Sequence, residues 1–260
     1  MAWSVPRLLR RVRPALAHFL HALPLAHPTP SVVTIQDLSW ERDPSVMALR
    51  TRLTFKTVVP RAARGAVRVL AISDRTKRDV VELYGVPADK VIVTPLGVDP
   101  SFKPSADGHD SYLLYVGAIE PRKQPLLAAD AARALDRKLV VVGPTKEQAL
   151  ADELRRRGAE VRGYVSKDEL VRLYQQAACL VFPSRFEGFG LPIVEAMACG
   201  TPVAAFPDAA VLGEDVNECV RAALAQHDRL AAAGLERARA FSWEETARRT
   251  AAVYREAIAA

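Results

Sequence analysis

The sequence predicts an α/β protein whose strands lie in parallel sheets. Short runs of four to six apolar residues alternate along the chain with longer stretches whose apolar positions recur every three or four residues, the pattern of βαβ units. A segment rich in Pro, Ser, Gly, Asp and His, from about Pro100 to Asp110, reads as a linker and divides the pattern in two. At 260 residues with half of them apolar, the chain is long enough for one large or two modest cores. The net charge of +6 suits an anionic substrate or a membrane surface, and equally an Arg-rich composition with no partner behind it. No run of 18 apolar residues occurs, so no spanning helix is predicted.

The first stretch, to about Pro28, carries Arg7, Arg10, Arg11 and Arg13 ahead of an Ala/Leu/His segment. His18, His21 and Pro24 make it a poor signal peptide. It fits a surface helix kinked near Pro14, or a basic amphipathic helix that touches an anionic membrane. Ser31–Ile35 reads as a buried strand ending at Gln36, and a helical pattern runs from about Ser45 to Arg64. Val67–Ile72 is the next strand. Ser73 is placed to cap a helix through Tyr84, which Gly85 and Pro87 end. Val91–Thr94 is a short strand leading to Pro95-Leu-Gly-Val-Asp99.

Beyond the linker, Tyr112–Val116 is a strand followed by a turn at Gly117, with Arg122 and Lys123 just after it. Two cations near a helix start are disfavoured by the helix dipole, which hints at an anionic partner. Leu139–Val142 is a strand, Lys146–Arg157 a helix stopped by Gly158, and Val161–Val165 a strand that turns. Ser166 with Glu169, and later Ser242 with Glu245, have the spacing of capping boxes. Thr201–Phe206 is the last strand expected. The three cysteines, Cys179, Cys199 and Cys219, form no metal or redox pair and are expected to be free thiols in a reducing compartment.

The most informative stretch is Ser184-Arg-Phe-Glu-Gly-Phe-Gly-Leu-Pro-Ile-Val-Glu-Ala-Met-Ala-Cys-Gly200. It follows the apolar strand Cys179–Phe182 and reads as a glycine turn entering a helix, with Pro192 at the first helical position and Gly200 past the last. Backbone N–H groups converge on an anion at such a place. Glu187 on the loop and Glu195, expected in the first helical turn, can accept hydrogen bonds from hydroxyls beside it. A phosphate held by amides, with carboxylates for hydroxyls, describes a sugar nucleotide. Taken alone, the two acids also fit a solvated loop residue and a glutamate favoured by the dipole.

Seven residues separate Glu187 from Glu195, and the segment resembles the E-x7-E signature of the GT-B glycosyltransferases of the group 1, retaining type. Tyr115-Val-Gly-Ala-Ile-Glu-Pro-Arg-Lys123 is similar to that family's phosphate loop, and Ile72-Ser-Asp through Pro95-Leu-Gly-Val-Asp99 to the end of its first domain. The resemblance runs from about Pro30 onward. It implies two Rossmann-like domains: residues 1–104 as an incomplete acceptor-side domain with its linker, 105–241 as the donor domain, and 242–260 as a helix returning toward the first domain. By the same resemblance Lys123, with Arg122, would grip the donor diphosphate near Gly117, and amides around Phe189, Gly190 and Leu191 would join them. Glu187 would orient the sugar and Glu195 the ribose, while the backbone around Tyr164 and Val165 would border the base.

Three departures from the family stand out. No glycine precedes Gly65, so the family's Gly-rich first loop is missing and the first domain reads as truncated. Gln36 stands where the family usually has a histidine near the donor sugar, and glutamine offers hydrogen bonds but no titratable proton. The segment between Phe206 and Val211 is shorter than the family pattern. The function expected is transfer of a hexose, with retention, from a nucleotide diphosphate sugar to a hydroxyl of a glycan, lipid-linked glycan or small molecule; a mannosyltransferase fits. No cofactor, metal or nucleic acid is expected: no Asp-x-Asp pair is present to hold Mg²⁺. The alternative is a degenerate relative that binds a sugar nucleotide, or serves as a partner subunit, without transfer. Paired carboxylates of a glycosidase leave the phosphate-type helix start without a role, and a nicotinamide enzyme lacks its G-x-G-x-x-G. A cytoplasmic location, with or without contact at the inner membrane face, goes with this reading.

Overall fold

The computed structural model describes residues 4–24, 26, 29–44, 47–105, 112–205 and 216–259. The chain divides into two units, Met1–Gly97 with Trp243–Ala260, and Val98–Ser242. Each has its own parallel sheet.

The first unit contains α1 (Ser4–Val12), β1 (Ala17–Leu20), β2 (Ser31–Ile35), α2 (Ser39–Arg42), α3 (Leu49–Gly65), β3 (Arg68–Ala71), α4 (Asp74–Tyr84) and β4 (Val91–Val93), and the last helix, Trp243–Ala259. The strands pair in the order β1-β2-β3-β4, all parallel, with Val33 opposite Val69. Alternate residues point to opposite faces, so both faces need cover. Val33, Ile35, Val69 and Ala71 pack with Trp40, Val59, Ala62 and Val80. Val32 and Leu70 pack with Val253 and Ala257 of the last helix. The Ser73 hydroxyl accepts from the Thr76 N–H at 3.1 Å and caps α4, a contact worth about 1 kcal/mol.

The sequence pattern did not indicate β1. Its four residues, Ala-His-Phe-Leu, follow Pro14 where a kinked helix was expected, and only Ala17 is buried. What makes it a strand is tertiary. His18 reaches Tyr254 Oη (2.6 Å) with Nδ1 and Thr34 Oγ1 (2.7 Å) with Nε2, tying β1 to β2 and to the last helix. The basic first segment therefore supplies a short helix and an edge strand.

The second unit runs β5 (Leu113–Val116), α5 (Pro125–Ala134), β6 (Leu139–Val142), α6 (Gln148–Arg156), β7 (Glu160–Gly163), α7 (Lys167–Gln176), β8 (Cys179–Phe182), α8 (Leu191–Ala198), β9 (Val203–Ala205), α9 (Val216–Ala225) and α10 (His227–Ala238). Its strand order is β7-β6-β5-β8-β9, all parallel. Leu114, Val116, Val142, Leu180 and Phe182 face Tyr174, Val194 and Ala196 on one side. Leu113, Tyr115, Val141, Cys179 and Val181 face Ala128, Leu154 and Val220 on the other. Cys179 and Cys199 are free thiols, and burial pushes both up to about 12. Helices α9 and α10 were not anticipated; they bury Val220, Ala223 and Ala238. The loop expected to be short, after Phe206, lies outside the described residues. Among the described residues no helix is long and apolar enough to cross a membrane.

The chain leaves β5 toward β6 on one side and reaches β8 on the other, so the sheet order reverses at β5. Ligands of open parallel sheets settle outside the carboxyl ends of the strands at such a switch point. Gly117 and the segment from Pro183 onward follow β5 and β8 there.

Candidate donor site

The turn after β5 is built on close backbone approach. Gly117 N–H donates to Val142 O at 2.9 Å, and a Cβ on Gly143 would sit 2.1 Å from Gly117 O. Gly143 also has φ of +136°, which only glycine adopts readily. The Tyr115 hydroxyl donates to Ala118 O at 2.9 Å and ties the turn back to its own strand. Burial pushes that phenol well up, so it stays a donor.

A single 3₁₀ turn, Pro121–Lys123, then presents the two cations. Lys123 Nζ pairs with Glu187 Oε1 and lies 5.5 Å from the centroid of the Phe182 ring. Arg122 donates from Nη1 to Phe186 O at 2.6 Å and from Nη2 to Glu120 Oε1 at 2.7 Å. Its Nη1 is 3.9 Å from Glu187 Oε1. Arg185 N–H donates in return to Arg122 O at 3.0 Å. Turn and loop, 64 residues apart in sequence, thus clamp one another. The structure brings Arg122, Lys123 and Glu187 together. The role of Glu120, which holds the Arg122 guanidinium, was not read from the sequence.

Helix α8 begins at Leu191, so Pro192 is its second residue and not its first. Gly190 precedes it with φ of +86°, and no side chain caps the helix. Glu195 is consequently the fifth residue, one position further in than a start at Pro192 gives. At that depth a carboxylate meets protein on one side. The buried Tyr174 hydroxyl, from α7, donates to Glu195 Oε2 at 2.9 Å. Desolvation raises the Glu195 carboxyl above its usual range, the charge of Asp99 adds to this, and the Tyr174 hydrogen bond opposes it. Tyr174 was the residue that sequence reasoning missed: its helix was expected, but the facing of one phenol toward a glutamate 21 positions on has no local signal.

Of the remaining expected residues, Phe189 is half-buried against Phe241, ring centroids 5.5 Å apart and nearly perpendicular. Tyr164 is 83% exposed just after β7, while Val165 packs against the core. Ser166 Oγ accepts from the Glu169 N–H and caps α7, as the box spacing indicated. Gln36 belongs to the first unit, exposed at the end of β2, where its carbonyl accepts from Thr76 Oγ1 at 3.0 Å. Among the described residues no group of three His, Cys, Asp or Glu side chains is arranged to hold a metal.

The chain thus has two parallel sheets, and in the second a cation-bearing glycine turn faces an acidic loop at a switch point. Comparison with known proteins makes the class specific. The family described as glycosyl transferases group 1 matches residues 100–236, and glycosyltransferase family 4 matches residues 1–102. The chain belongs to the group 1 glycosyl transferases, and its α/β architecture is that of the GT-B enzymes. It is 30% identical to O-antigen chain mannosyltransferase B of Escherichia coli, over 72% of this chain and 60% of that protein. It is 31% identical to a D-inositol 3-phosphate glycosyltransferase of Kribbella flavida, over 93% of this chain and 68% of that protein. The chain thus spans three-fifths to two-thirds of the length of these curated relatives. Sucrose-phosphate synthase from Thermosynechococcus elongatus is similar in structure, with a TM-score of 0.81 at 20% identity, covering 98% of this chain and 77% of that one. Anabaena HepE, solved with UDP and glucose, gives a TM-score of 0.68 at 20% identity over 88% and 72%. These two likenesses concern the fold.

Proposed function

We propose that the second unit binds a nucleotide diphosphate sugar and that the protein transfers its hexose to a hydroxyl acceptor with retention, without a metal. The observation that carries this reading is the Lys123–Glu187 pair held against Arg122 beside the glycine turn. Transfer breaks the bond between the anomeric carbon and the diphosphate oxygen and the O–H bond of the acceptor. It forms the bond from the anomeric carbon to the acceptor oxygen and leaves the electron pair on the diphosphate, with the hydroxyl proton passing to the diphosphate or to solvent. Charge therefore grows on the leaving group, and preorganised cations lower the barrier where it grows. Lys123 has three donors, so it keeps Glu187 while reaching a phosphate oxygen. Arg122 is committed to Phe186 O and Glu120, which makes it a fixed charge for the same oxygens. Glu187 orients sugar hydroxyls, and Glu195 takes ribose hydroxyls with its Oε1. Gly117, Phe189, Gly190 and Leu191 line the phosphate side, and Tyr164 with Val165 the base.

A second reading, binding without transfer, is favoured by Gln36, which brings no proton to the place where the family carries a histidine. The two are separated by incubating the chain with UDP-, GDP- and ADP-sugars and measuring the nucleoside diphosphate released. Release with donors of one base, lost in Glu187→Ala, is the expected result. Saturable binding with no release, with or without hydroxyl acceptors, would overturn transfer and leave the binding protein.

A further inference from the structure

Glu195 has one oxygen held by the protein and one that, among the described residues, no side chain is seen to hold. Tyr174 donates to Oε2 at 2.9 Å. Tyr174 is itself fixed: its side chain is fully buried, its ring meets Phe102 edge-on with centroids 5.8 Å apart, and its carbonyl accepts from Thr201 Oγ1 at 2.5 Å. Thr201 follows α8 at Gly200, so the hydroxyl and the carbonyl of one residue grip α8 and the segment just beyond it. The N-terminal end of the same helix α7 follows Tyr164 and Val165 directly, capped by Ser166. One helix therefore connects the stretch assigned to the base with the carboxylate assigned to the ribose.

We infer that Tyr174 is a positioning residue for the nucleoside half of the donor: its phenol fixes the Glu195 carboxylate so that Oε1 faces the ribose hydroxyls, and this sets the preference for ribose over deoxyribose donors. The inference rests on the sugar-nucleotide reading of this site. A carboxylate with both oxygens free to turn would lose orientation and, half-buried, would also lose the one donor that offsets its desolvation. A phenol suits the task because its own proton is retained: burial and the neighbouring carboxylate raise the Tyr174 pKa well above the ordinary phenol value. The ionisable groups that bear most on Glu195 are Tyr174 and Asp99, with Cys199 beside it, and Asp99 is itself paired with Lys167 at 3.1 Å. The Tyr174 hydrogen bond is the interaction that favours the charged form, so its removal moves the Glu195 carboxyl upward.

The test uses the full chain, titrated by calorimetry with UDP, GDP and ADP and with their 2′-deoxy and 3′-deoxy counterparts. Wild type is expected to prefer one ribonucleotide over its deoxy forms by about tenfold, the scale of a hydrogen bond to a charged group. Tyr174→Phe should bind the deoxy forms as before and the ribonucleotide about as weakly as them, with the acid limb of ribonucleotide binding shifted to higher pH. Its release of nucleoside diphosphate should show raised KM with kcat little changed. Tyr174→Met, a second side chain without a donor, covers the case in which the Phe variant does not fold. Full ribose preference retained in either folded variant, while Glu195→Gln loses it, would overturn the role of Tyr174 and leave the ribose assignment standing. Preference unchanged in Glu195→Gln as well would remove both. Absence of binding to all three nucleotides in wild type would refute the donor site itself, and this inference with it.

Discussion

Lys123→Ala should lower kcat/KM for the nucleotide-sugar donor by about 10²–10³, the size of effect seen when one preorganised group that stabilises developing charge is removed. The substitution deletes the ammonium group of the site. Arg122 cannot replace it, because its guanidinium is held by Phe186 O and Glu120 and stands 3.9 Å from Glu187. Glu187 is then left beside the incoming diphosphate with its main counter-charge gone, so like charges oppose binding. Stability should change little. Glu187 keeps a quarter of its side chain open to water and has Arg122 Nη1 at 3.9 Å, so the carboxylate left behind is still solvated and still near a cation. Steady-state kinetics beside thermal unfolding check both halves of the statement. A variant that unfolds like wild type and releases diphosphate at the wild-type rate would show that Lys123 does not meet the leaving group.

Gly143→Ala should be the most damaging small substitution in the second unit, destabilising it by more than about 3 kcal/mol. Two costs combine. The backbone sits at φ of +136°, where an L side chain is strained, and the new Cβ would lie 2.1 Å from Gly117 O, a backbone atom that cannot step aside without opening the β5–β6 junction. Gly117→Ala is the control. Its Cβ would meet the Tyr115 hydroxyl at 3.2 Å, a side-chain contact short by only a few tenths of an ångström and without the backbone clash, so the loss should be nearer the ~1 kcal/mol centre of ordinary point mutations. Denaturant unfolding of the two variants gives the comparison. Equal stabilities would mean that the two glycine turns are not packed on one another.

The parallel-sheet architecture was legible because buried strands advertise themselves. Leu139–Val142 and Cys179–Phe182 are unbroken apolar runs, Ser31–Ile35 is rich in β-branched residues, and each is a strand with the expected bounds. Helix punctuation was legible for the same local reason: Ser73 caps α4 and Gly200 takes φ of +77° after α8. What escaped depends on contacts between distant segments. β1 is held by His18 across to Thr34 and Tyr254. The Tyr174–Glu195 contact joins two helices across 21 positions and has no local signal. Glu120 came to light only through its partner Arg122. The phosphate-loop cations and the paired glutamates were visible as a motif, yet their mutual contact spans 64 positions and belongs to the fold.

The measurement that bears most directly on the donor site is a calorimetric titration of the 260-residue chain with UDP, GDP and ADP, beside Lys123→Ala and Glu195→Ala. A site of the kind described predicts saturable binding of one nucleotide in the wild type, weakened in both variants by about tenfold or more. Equal affinities in wild type and both variants, or no heat with any nucleotide from a folded chain, would contradict it.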